Sequence, residues 1–355
     1  MRNFTCKCGN TLYFANSSCL SCGRSVGFIP EQLTLSTCEL IEDNVWLAYA
    51  DNQHYKPCSN YTKYQVCNWL VPLNQEGEYC SSCALTTHIP DLSRQENVLL
   101  WYRMELAKRR LLYTLKKLGL PVWRPIPDKP PLRFRFLEDV KEDKYGNELT
   151  VKSTIITGHN NGVITLNLRE AEDASRVLMR EKMNERYRTL IGHFRHESGH
   201  FYWDVLIQNS PWQQSFRDLF GDENIDYMQS LEAYYKSGPP ANWQENYISA
   251  YASMHPWEDW AETWAHYLHI VDTLETATEY EVALLGYETV NPLTNNGAAN
   301  PEFDVVYEDW CRLTTVLNAL NRSMGLDDAY PFVISDRALL KLRFVHDIVQ
   351  KQLSA

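Results

Sequence analysis

The sequence predicts an α+β protein in which a small cysteine-rich module precedes a larger, mostly helical domain with a small sheet. Three observations favour this class. Nine of the ten cysteines fall within the first 83 residues. Short stretches between residues 132 and 168 have the alternation and turn residues that are typical of strands. From residue 170 onward, apolar residues recur mainly at helical spacing.

Length and composition indicate a folded protein. The 355 residues are enough for two or three domains. With 44% hydrophobic and 22% charged residues, the chain is close to soluble globular averages, which excludes a disordered or collagen-like protein. No apolar run reaches the roughly 18–20 residues of a membrane helix, and the N-terminus lacks the apolar stretch of a signal peptide. We therefore expect a cytoplasmic protein that does not engage a membrane.

The charge of the chain is uneven. The net charge is −11, and residues 191–355 carry nine basic and 24 acidic side chains. Nucleic-acid-binding proteins usually present a basic surface, so this distribution argues against nucleic acid as a partner. The acidic half is most simply a solvated surface, and a preference for basic peptides is the alternative.

The first group of cysteines indicates a zinc site. It contains two close pairs separated by ten residues, each followed by a glycine: Cys6, Cys8, Cys19 and Cys22. Clustered cysteines without a secretory signal are interpreted as metal ligands before disulfides. Four thiolates can bind one tetrahedral zinc ion, and the glycines allow the tight turns that this requires.

The second group has a looser spacing and ends in a C-x-x-C pair: Cys58, Cys67, Cys80 and Cys83. His54 or Cys38 could replace one of its ligands, and buried thiols or a redox pair are the alternative for both groups. Four-ligand sites have no open position, so we expect both zinc ions to be structural. A short segment with few apolar residues would bury little core and would depend on metal for folding. Cys311 is expected to be an ordinary buried cysteine.

The module is predicted to span residues 1–90, and the larger domain residues 91–355. Within the larger domain we predict a helix, a proline-rich extended linker, a strand and a hairpin around a His-Asn-Asn-Gly turn, followed by helices. The helix is predicted over residues 95–119, the linker over 121–131 and the strand over 132–137. The two strands of the hairpin are predicted over 153–157 and 163–168.

The pattern His196-Glu197-Ser198-Gly199-His200 is the centre of the functional prediction. On a helix, residues four apart share one face, so both imidazoles can reach one metal ion. Glu197 lies beside them, where its carboxylate could hold a water molecule and accept its proton.

A catalytic zinc site needs a third protein ligand. The best candidates lie between residues 257 and 266, where Glu258 and Glu262 are one helical turn apart. Asp204 and His266 are rival ligands. The aromatic residues of this stretch, from Trp257 to Tyr267, are most simply core residues.

The H-E-x-x-H pattern followed by Glu258-x-x-Ala-Glu262-x-Trp-Ala resembles the gluzincin clan of zinc metallopeptidases, including its lethal-factor-type branch. This resemblance implies that Glu258 is the third ligand and that Glu262 orients a ligand histidine. It also implies that Tyr251, seven residues before Glu258, donates to the oxyanion. Tyr247 is the rival for that role, and His255 could also face the cleft.

The cysteine groups together with His200–Asp204 resemble bacterial zinc-binding metallopeptidases that have an N-terminal zinc ribbon. The resemblance implies a zincin-like domain with one catalytic and two structural zinc ions, which hydrolyses peptide bonds in a peptide or protein substrate. An edge strand of the hairpin could pair with that peptide, and the ribbon could bind a protein partner. The alternative is a non-catalytic zinc-containing interaction module, although a purely structural site would gain nothing from Glu197.

Overall fold

The computed structural model describes residues 2–142, 150–183, 189–284, 287–290, 292 and 301–353. The fold is mixed α/β, with ten α-helices in these residues. The chain forms two compact units. The first contains Met1–Lys117, Val122–Arg124 and Pro131–Glu181, and the second contains Leu118–Pro121, Pro125–Pro130 and Lys182–Ala355. Among the described helices, none combines the length and the apolar character that crossing a membrane requires.

The first unit begins with a small hairpin and an antiparallel sheet of five strands, which follow one another in chain order. The hairpin is β1 (Phe4–Thr5) with β2 (Thr11–Leu12). The sheet consists of β3 (Ser25–Ile29), β4 (Thr34–Glu42), β5 (Val45–Ala48), β6 (Gln53–Pro57) and β7 (Leu70–Pro72), with a one-turn helix α1 (Ser59–Thr62) before its last strand.

This sheet corrects the expectation that the cysteine-rich segment buries little core. Phe28 and Trp69 are fully buried and stack with their ring centroids 5.0 Å apart. Phe14 lies edge-on to Phe28 at 5.2 Å and also contacts Tyr113. The apolar residues that form this core are scattered over the first 113 positions, so no local run of the sequence revealed it.

The next elements of the first unit include the predicted helix. Helix α2 spans Gln95–Lys117, followed by Gly119 in the left-handed region at φ +67°, so the predicted helix and its stop signal are confirmed. Before α2 lies β8 (Thr86–His88), and after the proline-rich stretch comes β9 (Arg133–Leu137), which confirms the predicted strand. Strand β8 pairs in parallel with β9. A strand that precedes residue 90 is therefore part of a sheet whose other strands follow residue 90. The domain boundary at residue 90 stays a prediction.

The predicted hairpin exists with a shifted first strand. After β10 (Val140–Glu142) and β11 (Thr150–Ser153), strand β12 (Gly158–Asn160) pairs with β13 (Val163–Asn167). The sheet order is β12-β13-β9-β8, so β12 is an edge strand. The prediction of a strand over 153–157 is wrong for residues 154–157. Asn161 and Gly162 both have positive φ and form a two-residue turn, which places the paired strand directly before it.

Most of the remaining elements are helices, as the sequence predicts. They are α3 (Asp173–Met183), α4 (Leu190–Leu206), α5 (Gln213–Phe220), α6 (Tyr227–Ser237), α7 (Trp243–Asn246), α8 (Pro256–Glu279), α9 (Phe303–Ser323) and α10 (Asp336–Leu353). A short hairpin joins β14 (Ala283–Leu284) and β15 (Tyr287–Glu288).

Helices α4 and α8 pack closely against each other in the second unit. The indole of Trp260 donates to the Gly199 carbonyl at 2.9 Å, and that of Trp264 donates to the Ser198 hydroxyl at 3.1 Å. Trp260 and Trp264 are fully buried. A side chain on Gly199 would begin 2.9 Å from the Ala261 Cα, so only glycine permits this approach.

We therefore predict that Gly199→Ala destabilises the protein. A methyl group pressed against backbone must displace α8, and overpacking costs about 1–3 kcal/mol. Because the contact is with backbone, which cannot rotate away, we take the upper part of this range, about 2–3 kcal/mol. The better helix propensity of alanine returns up to about 1 kcal/mol, so the free energy of unfolding should fall by about 1–2 kcal/mol. Urea unfolding at a fixed zinc concentration measures this change. Ala233→Ser, which adds one atom at an exposed position of α6, is the control and should stay within about 0.5 kcal/mol. Equal stability of Gly199→Ala and wild type would contradict the close-packing argument.

Candidate metal centres

Helix α4 places the two histidines of the H-E-x-x-H pattern side by side. Thr189 caps the helix by accepting from the Gly192 amide at 3.1 Å. The ring centroids of His196 and His200 lie 4.9 Å apart. Glu258 reaches them from the first turn of α8, with its carboxylate oxygens 3.0 Å from His196 Nε2 and 3.5 Å from His200 Nε2.

The three side chains fit a zinc ion. Ligand atoms at the usual bond lengths of about 2.0–2.2 Å in a tetrahedral site lie about 3.3–3.6 Å apart, close to the two separations above. Two imidazoles and one carboxylate are a donor set that occurs in zinc enzymes and leaves a fourth position open. The candidate ligand atoms of His196, His200 and Glu258 all lie within 4.8 Å of one another.

Glu262 is hydrogen-bonded to His196. Its Oε1 lies 2.7 Å from His196 Nδ1, and its Oε2 accepts from the Ser249 hydroxyl at 2.6 Å. With Nδ1 engaged, Nε2 is the nitrogen that faces Glu258. The role of Glu262 in orienting a ligand histidine stays a prediction, for which this hydrogen bond supplies the contact. The contribution of Ser249 was missed, because nothing in the local sequence marks a serine 13 residues away as its partner.

Trp257 packs against the other histidine. Its ring centroid lies 3.8 Å from that of His200, with the two planes tilted by 36°. Trp260, Trp264 and Tyr267 are buried core residues, as predicted. Trp257 is only half-buried, and its place in the site was not predicted.

The charges around His196 favour a cation at this place. Burial works to lower the pKa of His196, but hydrogen bonds and charge from Glu258 and Glu262 raise it well above its usual value. Burial works to raise the pKa of each glutamate. The neighbouring histidines nevertheless hold the pKa of Glu258 well below its usual range. His196 is the main group that lowers the pKa of Glu262, to about 2. Two carboxylates beside one imidazole, that of Glu258 buried and that of Glu262 half-buried, therefore form a site that stabilises positive charge.

Glu197 directly follows His196 on α4. Its side chain is buried, and burial raises its pKa against the opposing charge of His196 and His200. Within the described part of the chain, its Oε2 atom is buried without a hydrogen-bond partner. A buried carboxylate with a raised pKa and an unengaged oxygen is suited to accepting a proton.

Tyr251 lies next to the metal-binding residues. It begins a 3₁₀ turn, Tyr251–Met254, and its ring centroid is 6.1 Å from that of His196. Burial raises its pKa, and its hydroxyl is hydrogen-bonded to Tyr227. Tyr227 in turn donates to Glu258 Oε1 at 2.8 Å. Sequence reasoning missed Tyr227, which lies 31 positions from Glu258 and outside any recognisable motif.

The rival residues have other contacts. The ammonium group of Lys341 lies over the ring of Tyr247, 4.5 Å from the ring centroid. His266 Nδ1 is 2.6 Å from the Tyr330 hydroxyl. His255 is buried and caps α8 by accepting from the Trp257 amide. None of these residues, nor Asp204, belongs to the metal-binding groups of the described chain.

The first cysteine group converges at the end of the β1–β2 hairpin. The Cys6 sulfur lies 3.3 Å from the Cys8 sulfur and 3.6 Å from the Cys22 sulfur. The sulfurs of Cys8 and Cys19 are 3.7 Å apart. Zinc–sulfur bonds of about 2.3 Å give sulfur separations of about 3.8 Å in a tetrahedron, so the group fits zinc. Gly9 and Gly23 follow the pairs at positive φ, as the tight turns require. Cys8 is exposed.

The second cysteine group is completely buried: Cys58, Cys67, Cys80 and Cys83. Cys67 and Cys80 have their sulfurs 3.7 Å apart, and backbone amides, including that of Trp69 at 3.3 Å, donate to the sulfurs. The buried Arg109 of α2 donates to the Val66 carbonyl at 2.8 Å, next to this group.

The other cysteines and His54 lie outside both groups. Neither Cys38 in β4 nor His54 in β6 joins the second group as the structure describes it. Cys311 is exposed on α9, so the expectation that it is buried is wrong. The helical spacing around Cys311 placed it on a helix, but which face of that helix is covered depends on distant residues.

Comparison with known proteins agrees with these sites. Residues 97–348 match the family model described as "Putative zinc-binding metallo-peptidase", and residues 3–94 match a zinc-ribbon domain. The chain therefore belongs to this family of zinc-binding metallopeptidases. Uncharacterized proteins of Mycobacterium bovis and of two strains of Mycobacterium tuberculosis are 42% identical to it over 355 residues, which cover 99% of this chain and 96% of each relative. No solved structure matches the chain.

Family membership and the cysteine groups support zinc binding and an N-terminal zinc ribbon, as predicted. The gluzincin assignment, the zincin-like fold and the individual ligand roles stay predictions.

Proposed function

We propose that this protein is a zinc-dependent peptidase that hydrolyses peptide bonds in a peptide or protein substrate. The observation that carries the proposal is the convergence of His196, His200 and Glu258, from two helices, beside the buried carboxylate of Glu197. Such a set of residues combines three ligands, an open coordination position and a general base.

Each residue has a separate role in this mechanism. A bound zinc ion would activate a water molecule and polarise the substrate carbonyl. Glu197 accepts the proton of the attacking water at Oε2 and delivers it to the leaving amine. Tyr251 donates its hydroxyl hydrogen to the carbonyl oxygen as negative charge develops there. Glu262 holds His196 with Nε2 directed at Glu258.

The cysteine groups have a structural role in this proposal. Each would hold one zinc ion with four thiolates and leave no position for a substrate. The zinc ribbon could also bind a protein partner. We propose a cytoplasmic location and no nucleic-acid partner, in keeping with the acidic composition.

The first prediction from this proposal concerns zinc stoichiometry. The full-length protein should contain three zinc ions per chain, and Cys22→Ser, Cys67→Ser and His200→Ala should each lower the occupancy of one site. Elemental analysis against protein concentration measures this. Point substitutions are preferable to deleting residues 1–90, which would remove β8 from its sheet. A single equivalent of zinc in the wild type would contradict the assignment of both cysteine sites.

The second prediction separates the two glutamates. Glu258→Ala should lose the zinc ion of the histidine site because it removes a ligand. Glu262→Ala should weaken this zinc by about 10–100-fold, because it removes only the partner of His196. Competition with a chelator of known affinity measures both effects. If Glu262→Ala abolished binding while Glu258→Ala retained it, the two roles would be reversed.

The third prediction separates catalysis from metal binding. Glu197→Gln should retain three zinc ions and the fold but abolish peptide hydrolysis, because a neutral amide cannot accept the proton. Tyr251→Phe should lower the rate by about 10²–10³-fold, the usual effect of losing one oxyanion donor. Cleavage of a broad peptide library, followed by mass spectrometry, measures both.

The matched control is Glu232→Gln, the same change at an exposed position of α6, which should cleave like the wild type. A chelator should stop cleavage in every active variant. If the wild type cleaves nothing that Glu197→Gln spares, the non-catalytic interaction module becomes the better description.

A further inference from the structure

The two oxygens of the Glu258 carboxylate face different histidines, and one of them also accepts from a tyrosine. Its Oε2 lies 3.0 Å from His196 Nε2, while its Oε1 lies 3.5 Å from His200 Nε2 and accepts from the Tyr227 hydroxyl at 2.8 Å. Glu258 is 2% exposed, so water is largely excluded from it. Among the described residues, Tyr227 is the non-histidine side chain that donates to this carboxylate. Without that donor, the carboxylate could rotate about its terminal bond and present either oxygen to the histidines.

Tyr227 is itself held in place by the residues around Glu258. Its ring centroid lies 5.3 Å from that of His255 and 6.1 Å from that of Trp257. His255 Nδ1 accepts from the Trp257 amide at 3.0 Å, so Nε2 carries the proton and can donate to the Ile225 carbonyl at 3.1 Å. His255 thus connects the start of α8, which carries Glu258, to the chain just before Tyr227.

Tyr227 is the first residue of α6, so its contacts with Glu258, His255 and Trp257 also attach this helix to the site. Asp226 caps α6 by accepting from the Gln229 amide at 2.8 Å, and no residue of α6 is buried. Glycines at positive φ, Gly221 and Gly238, lie on either side of it. With no buried side chain of its own, α6 depends on contacts such as those of Tyr227 and Tyr234 to stay beside the site.

We infer that Tyr227 is a positioning residue for the metal ligand Glu258. Its hydroxyl holds Oε1, which also lies 3.5 Å from His200 Nε2, so that Oε2 remains directed at His196 Nε2. The inference rests on the proposed function only in taking Glu258 as a zinc ligand, and it does not require the protein to cleave peptides. Residues that orient a metal ligand typically contribute 10–100-fold to metal affinity.

The test is the zinc affinity of the histidine site in the full-length protein. Tyr227→Phe should bind this zinc about 10–100-fold more weakly and release it faster, while the two cysteine-bound zinc ions remain. The probe is zinc itself, in competition with a chelator of known affinity. His200→Ala, which lacks this site, identifies the equivalent of zinc that belongs to it.

Two matched variants serve as controls. Tyr234→Phe changes a neighbouring tyrosine of α6 whose ring centroid lies 5.8 Å from that of Tyr251, and Tyr235→Phe changes the exposed tyrosine that follows it on the same helix. Both should stay within threefold of the wild-type zinc affinity. A Tyr227→Phe affinity within threefold of wild type would overturn the inference. If Tyr227→Phe loses the fold or the cysteine-bound zinc, Tyr227→Leu is measured under the same criterion.

Activity gives a second readout that separates this inference from the proposed function. If the wild type cleaves peptides, excess zinc should restore Tyr227→Phe toward wild-type activity but leave Glu197→Gln inactive. If the wild type cleaves nothing and Tyr227→Phe still weakens the zinc, the peptidase proposal fails and the positioning role stands. A wild type without zinc at the histidine site would overturn both.

Discussion

The close packing of helices α4 and α8 at Gly199 is the contact on which the candidate site depends. A side chain at this position would begin 2.9 Å from the backbone of Ala261, so the two helices can approach only because residue 199 has none. The indole nitrogens of Trp260 and Trp264 donate across the same contact and set how the helices are aligned. That alignment brings Glu258 to the two histidines and Glu262 behind one of them. The variable positions of the H-E-x-x-H pattern are therefore part of its architecture.

Burial of charge is the second constraint on the site. Glu258 and Glu197 are each less than a tenth exposed, and Glu258 and Glu262 both contact His196. Isolated buried charges are costly, whereas charges that are paired or coordinate a metal ion are tolerated. A zinc ion would compensate the carboxylates and leave the imidazoles neutral, as metal ligation requires. The site is thus easier to explain as a metal centre than as a network of ion pairs.

The two cysteine sites lie in different surroundings, although their ligands are the same. The second is completely buried beside Arg109 of α2, whose positive charge can offset the negative charge of four thiolates. The first lies at the end of a short hairpin, and its Cys8 is exposed. Because the five-stranded sheet contains its own aromatic core, part of the stability of this module comes from apolar burial. The rest is expected to come from the metal.

The sequence by itself determined the features that depend on local spacing. Several such features follow from backbone geometry over a few residues: two histidines four residues apart on a helix, pairs of cysteines followed by glycine, the helix before Gly119 and the alternating strand at β9. Only the tertiary structure decided which distant residues complete the site. Tyr227 contacts Glu258 from 31 positions away, and Ser249 contacts Glu262 from 13 positions away. Trp257 faces His200 rather than the core. The five-stranded sheet and the exposure of Cys311 were decided in the same way. The physical reason is that burial and hydrogen bonding depend on which elements meet, and periodicity within one element does not specify its neighbours.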